Sequence, residues 1–338
     1  MNGFTSLEQR LQTAMCYAHL FGDALTLDEL VRSTGSDAEQ IQPVLRGWLQ
    51  NGSVVESGGR WFLPGTEDAE FGTARERQAE AARLVLEQHR PLLRVLTALP
   101  WVRLLAVSGS TGRGGSARDS GDLPDLDLFL IVEPGSLHIV RLGLRLWSLA
   151  ERLGVRLRAF GPRPVICPNY LTEASFQGIT NRSYFTASDS LRVRVLKGES
   201  AYREFLAWNS WIHRYFPEPL GAAPPPEKER GPLLRETANV ICFAALATFS
   251  WLKCKITGQR FLYSWSFRFD RNNCLRRAAI AGGGYQPQIA ARFSEVHARY
   301  WDRDPELVDF LFPDTRPDGI VIDGQFAPAI AAELWPHE

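Results

Sequence analysis

The sequence predicts an α+β protein: a mixed sheet with helices on one side, a small helix-and-wing unit before it, and a helical region after it. Three observations carry this. Two apolar strand-like runs flank a loop rich in glycine, serine and arginine across 104–132, LLAVSGSTGRGGSARDSGDLPDLDLFLIV. Residues 7–50 repeat apolar side chains at helical spacing and 53–63 alternate them at strand spacing. The stretch 217–232 holds six prolines and interrupts all regular structure ahead of a long apolar run.

The first elements follow from local signals. Residues 7–20 have helical spacing, and Thr26-Leu-Asp-Glu29 is a capping box that opens a second, short helix. A third helix spans 36–50, with Ile41, Val44, Leu45, Trp48 and Leu49 on its apolar face and Asn51-Gly52 at its end. Pro43 is expected to kink that helix or mark its true first turn. Two alternating runs around Ser57-Gly58-Gly59 make a wing. Residues 1–66 therefore read as a winged helix. Its bases, Arg10, Arg32, Arg46 and Arg60, are outnumbered by Glu8, Asp23, Asp28, Glu29, Asp37, Glu39 and Glu56. The third helix would enter a DNA groove, yet it starts with Asp37 and Glu39, which phosphates repel. DNA is not the expected partner; protein docking or a structural role is.

Residues 67–100 form a connecting helical segment, charged first and apolar later. The region 101–216 is the expected catalytic domain, with strands over 103–108, 125–132, 155–160 and 164–171 and a helix over 136–153. Residues 184–197 read as helical or extended, and 202–215 as a helix. After the proline-rich linker 217–232, the region 233–338 is a helical domain. Its long apolar helix 233–257 reads as buried, and a further helix covers 288–300.

Composition narrows the function classes. Formal net charge is zero over 338 residues, so the chain as a whole offers no field for polyanions. The five cysteines, Cys16, Cys167, Cys242, Cys254 and Cys274, contain no Cys-x-x-Cys pair and are odd in number. That disfavours a zinc site or a disulfide framework and suits a reducing cytoplasm. No signal peptide is read at the start, and the longest apolar run, 240–252, is too short to span a bilayer. The expected location is cytoplasmic, without a membrane partner. Arginine far outnumbers lysine, which fits a GC-rich, bacterial coding bias.

The chemistry concentrates in 104–132. Strand side chains alternate faces, so Asp125 and Asp127 share one and Leu126, Leu128 and Leu130 share the other, expected to be the buried one. Crowded carboxylates repel, and hard cations such as Mg²⁺ relieve the conflict because oxygen ligands suit them. The glycine loop has other readings. Gly109-Ser-Thr-Gly-Arg-Gly114 starts like a P-loop, but Gly115-Ser116 stands where the phosphate-reaching lysine and Ser/Thr belong. A dinucleotide-binding loop would open a helix, whereas 119–124 has no helical period.

Apolar strand, Gly-Ser, loop and Asp-apolar-Asp together resemble the DNA polymerase β-type nucleotidyltransferases, over about residues 101–171. The resemblance implies that Gly109 and Ser110 grip a nucleoside triphosphate (NTP) and that Asp125 and Asp127 hold Mg²⁺ or Mn²⁺. Arg113 and Arg118 in the loop, with Lys253 or Lys255 in the long helix, are candidate cations for the phosphates. The two lysines lie about 200° apart around a helix axis, so at most one faces the cleft. Family members often carry a third carboxylate on a later strand; here Asn169 takes the expected position, and Glu173 is a candidate substitute. Asn cannot act as a base near neutral pH.

The expected activity is Mg-dependent transfer of a nucleoside monophosphate from an NTP to an acceptor (small molecule, peptide or RNA), releasing pyrophosphate. One alternative is a binding or regulatory module on the same fold without activity, which Asn169 favours. The other is a winged-helix DNA-binding regulator, which the acidic third helix disfavours.

Overall fold

The computed structural model describes residues 4, 6–65, 71–109, 125–152, 166–179, 182–217, 231–257, 277–279, 286–313, 320–322 and 325–327. Helices α1 (Leu7–Leu20), α2 (Leu27–Thr34) and α3 (Ala38–Gln50) surround a small sheet of β1 (Leu25–Thr26), β2 (Val55–Ser57) and β3 (Arg60–Phe62) in the order β1-β3-β2. The Thr26 capping box is present: Thr26 Oγ1 accepts from Glu29 N at 3.2 Å, and Glu29 Oε2 accepts from Thr26 N at 2.8 Å. Asp37 and Gln40 form a second one, so α3 starts ahead of Pro43 and carries the proline inside it. The turn between β2 and β3 has positive φ at both Gly58 and Gly59, as a tight hairpin requires.

The connecting segment is two helices, α4 (Phe71–Gln88) and α5 (Arg90–Ala98), divided at His89 with proline in the first turn of the second. Then come β4 (Val102–Val107), β5 (Leu126–Val132), α6 (Leu137–Arg152) and β6 (Ile166–Glu173). The stretch read as helical or extended is both: α7 (Tyr184–Leu191) followed by β7 (Arg194–Lys197). The helix read over 202–215 is α8 (Glu199–Trp208) plus a 3-10 turn, Ser210–Arg214. Beyond lie α9 (Leu233–Thr257), β8 (Arg277–Ala279), α10 (Gln286–Tyr300), α11 (Pro305–Leu311) and the hairpin β9 (Ile320–Ile322) with β10 (Gln325–Ala327). The strand read over 155–160 and most of the proline-rich linker lie outside the described residues.

The main sheet is five-stranded, β7-β4-β5-β6-β8; β5 and β6 are parallel and every other pair is antiparallel. Two expectations are corrected here. Helices cover both faces, not one, and the face that carries the aspartates is buried too. Leu128, Leu130, Leu105 and Val107 pack with Leu92, Leu96, Leu137 and Val140 from α5 and α6. On the other face Leu104, Ala106, Phe129, Ile131 and Tyr170 join Ala187 and Phe205 from α7 and α8. Phe129 stacks on Tyr170 with ring centroids 4.2 Å apart, and Phe205 meets it edge-on at 5.0 Å. The reason is in β5 itself: past Asp127 it reads Leu-Phe-Leu-Ile-Val, apolar at every position, the pattern of a strand buried on both sides.

The same core continues through Leu11, Met15 and Tyr17 of α1 and through Phe293, Leu307 and Phe312 around α10 and α11. Trp48 lies 5.4 Å from Trp301, Gln9 Nε2 donates to Asp304 Oδ2 at 3.0 Å, and Tyr300 OH donates to the Pro64 carbonyl. Helix α9 instead packs on α6: His138 N donates to Asn239 Oδ1 at 2.6 Å, and the His138 and Phe243 rings lie 4.8 Å apart. The expectation of a buried helix is corrected: among the described elements its main contact is α6, and one such neighbour covers only one stripe of a helix. Asn239, Phe243 and Leu246 are buried, while Ile241, Phe249, Trp251 and Ile256 are exposed.

Candidate active site

The corner where β4 ends and β5 begins carries the site. Val107 and Leu128 are the last register partners, and Ser108 N donates to Asp127 O at 2.9 Å, closing the corner. Gly109 follows with φ +62°, a left-handed conformation that costs other residues about 1–2 kcal/mol. A Cβ there would lie 2.0 Å from Asp127 Oδ2 and 2.9 Å from Asp127 Cγ. The backbone of the turn therefore rests against the carboxylate, and only glycine satisfies both demands. Asp125 is exposed just ahead of β5, and Asp127 is half-buried within it.

Parallel pairing sets Cys167 of β6 directly beside Asp127. The thiol hydrogen-bonds the Asp127 carboxylate. Its pKa is pushed up to about 11, first by burial and then by the negative charges of Asp127 and Asp125, with Arg145 opposing. The thiol is thus protonated at neutral pH and is a poor metal ligand beside carboxylate oxygens. Nothing in the sequence alone singled it out, because only the strand register puts Cys167 there.

Asn169 is tied to two other side chains. Its Nδ2 donates to Ser108 Oγ at 3.1 Å and to Asp189 Oδ2 at 3.4 Å. Asp189, in α7, is a buried carboxylate that sequence reasoning missed; its run, Tyr-Phe-Thr-Ala-Ser-Asp-Ser-Leu, has no motif to flag it. Glu173 is corrected as a substitute third carboxylate. It pairs with Val132 at the far end of β5, five positions on from Asp127, or roughly 17 Å at ordinary strand rise. There it is fully buried and accepts from Gly135 N at 2.8 Å, which holds the turn into α6.

Of the other expected site residues, Ser110, Arg113 and Arg118 lie outside the described residues. Lys253 falls in α9, but its side chain is not described; Lys255 is exposed in the last turn of that helix. The described contacts gather Gly109, Asp127, Cys167, Ser108, Asn169 and Asp189, and they do not join Lys255 to that group.

Among the described residues no cluster of three or more His, Cys, Asp or Glu is arranged to hold a metal ion. The donors present still fit a hard divalent cation, because Mg²⁺ is commonly held by one or two carboxylates with the remaining positions left to water and substrate phosphates. Asp125 and Asp127 would supply those carboxylates. Among the described residues no helix is long and apolar enough to cross a membrane. Comparison with protein-family models, with curated proteins and with solved structures finds no match to this chain.

Proposed function

We propose that this chain is a metal-dependent nucleotidyltransferase with an N-terminal winged helix. The observation that carries the reading is the Gly109 turn pressed against the Asp127 carboxylate, at the end of a central strand whose next same-face residue outward is Asp125. A backbone held that close, in a conformation reserved for glycine, lets phosphate oxygens approach main-chain N–H groups beside the carboxylates. The element order helix–strand–helix–helix–strand–strand over 7–62 supports the winged-helix reading.

In this reading Gly109 and Ser110 bind the NTP phosphates and the loop arginines offset their charge. Asp125 and Asp127 hold Mg²⁺ or Mn²⁺, which when bound neutralises charge on the transferring phosphoryl group. Phosphoryl transfer depends chiefly on such positioning and charge neutralisation. Asn169 supplies no base, so the acceptor hydroxyl would lose its proton to solvent or to a phosphate oxygen. Calorimetry of NTP binding with Mg²⁺ and with EDTA tests the reading, together with pyrophosphate release over a panel of acceptors. Tight binding that ignores the metal overturns it.

A second reading is a binding or regulatory module on the same fold without activity. It is favoured by the amide at Asn169 and by the distance of Glu173 from the pair. Metal-dependent NTP binding with no pyrophosphate release over the panel would select it. DNA regulation is disfavoured, because Asp37 and Glu39 are exposed at the start of α3. Steeply salt-dependent binding of duplex DNA by the whole chain would reverse that judgement.

A further inference from the structure

β6 is irregular at one position beside the site. Leu128 pairs with Pro168 and Phe129 with Tyr170, which leaves Asn169 as an extra residue between them. A bulge re-aims the side chain it carries. Here it turns Asn169 toward the end of β4, where its amide nitrogen meets Ser108 Oγ at 3.1 Å and Asp189 Oδ2 at 3.4 Å. Ser108 is fully buried and Asp189 is 4 % exposed. Ser108 in turn donates its N–H to Asp127 O and is followed directly by Gly109. A continuous path of hydrogen bonds thus runs from helix α7 through the bulge to the turn on which the aspartate rests.

We propose that Asn169 and Asp189 are positioning residues that hold the Ser108–Gly109 turn in its phosphate-gripping shape; this rests on the nucleotidyltransferase reading. The residue types fit the task. An ionised carboxylate only accepts hydrogen bonds, whereas a primary amide has two hydrogens to give. Asn169 spends one on Ser108 and one on Asp189, tying the serine to α7. A carboxylate at position 169 would set a second acceptor against the buried Asp189 carboxylate, which is costly. The amide at 169 can therefore serve Ser108 and Asp189 at once. The carboxylate that position 169 lacks stands on α7.

The test compares wild type, Asn169→Asp, Asp189→Asn and the double swap of both. Melting curves and steady-state kinetics with Mg²⁺ and the NTP found to bind are recorded for each. Asn169→Asp is expected to raise the KM for the NTP about tenfold or more, the scale of one hydrogen bond to a charged group, with a smaller fall in kcat. Asp189→Asn raises it less, because two amides still pair. The double swap restores one amide facing one carboxylate and returns KM toward the wild-type value. The same order is expected in calorimetric NTP affinity, which does not depend on turnover. If Asn169→Asp does not fold, the comparison of Asp189→Asn with the double swap carries the test. Lowered melting temperatures with unchanged KM and NTP affinity would give the two residues a purely structural role and overturn the inference alone. A wild-type chain that binds no Mg-NTP overturns both the inference and the reading beneath it.

Discussion

Gly109 and Asp127 touch across the mouth of the β4–β5 pair: a Cβ on the glycine would fall 2.0 Å from the aspartate Oδ2. The turn and the carboxylate are one unit, and neither can shift without the other. Gly109→Ala must displace Asp127 or unwind the turn, and it also strains a backbone at φ +62°. The expected result is about 1–2 kcal/mol of lost stability from the conformation alone, with loss of Mg-dependent NTP binding. Thermal melts and calorimetry check this. An alanine variant with wild-type affinity would show that the contact does not shape the site.

Asp127→Asn keeps the volume of the side chain and removes one charge from a crowded pair. The fold should be retained, with an unchanged or higher melting temperature in the absence of metal. Transfer should fall by about 10²–10³, the usual effect of losing one electrostatic contact to a developing charge. Pyrophosphate release is the readout. Parental turnover in a folded variant would remove the aspartate pair from the chemistry.

Phe129 tests the second buried face of the sheet. It lies two residues beyond Asp127 on the same face, between Tyr170 and Phe205. Phe129→Ala should cost about 3–5 kcal/mol of unfolding free energy, as large-to-small changes of buried aromatics do. Denaturant titration measures it. A cost below about 1 kcal/mol would mean that this face is not core.

Acid should loosen the junction between α1 and α10. His297 is held below its ordinary 6.5 by burial, against the opposing influence of Asp304 and the Asp302 backbone. His19 is lowered too, by burial and by the Arg299 charge. With folded pKa values depressed, the unfolded chain takes up protons first as pH falls through about 6.5. Stability is therefore full above that pH and declines below it, until the folded values are passed. Melting temperature should drop between about pH 7.5 and about pH 5.5, and His297→Gln should flatten the profile. A profile with the same slope in the variant would put the dependence elsewhere.

How much was legible in the sequence varies with the range of the interaction. The capping box at Thr26, the paired glycines of the β2–β3 turn and the span of α9 are set within a few residues, so a linear reading finds them. The Gly109 turn and the alternation of Asp125 with Asp127 are local in the same sense. Glu173 misled because nearness in sequence to the end of a strand says nothing about which end of the neighbouring strand it meets. The parallel register put it beside Val132.

By itself the sequence determined the first three helices, the β4 and β5 runs, α9, the glycine turn and the shared face of the two aspartates, because backbone sterics and strand alternation act between neighbours. Only the tertiary structure decided that this face is buried beyond Asp127, that Cys167 lies beside the carboxylate, and that Asn169 leans on Asp189. Those facts depend on strand register, one bulge and the docking of α7. They are interactions between segments far apart in the chain, settled by which apolar surfaces find each other, and no short window of residues encodes them.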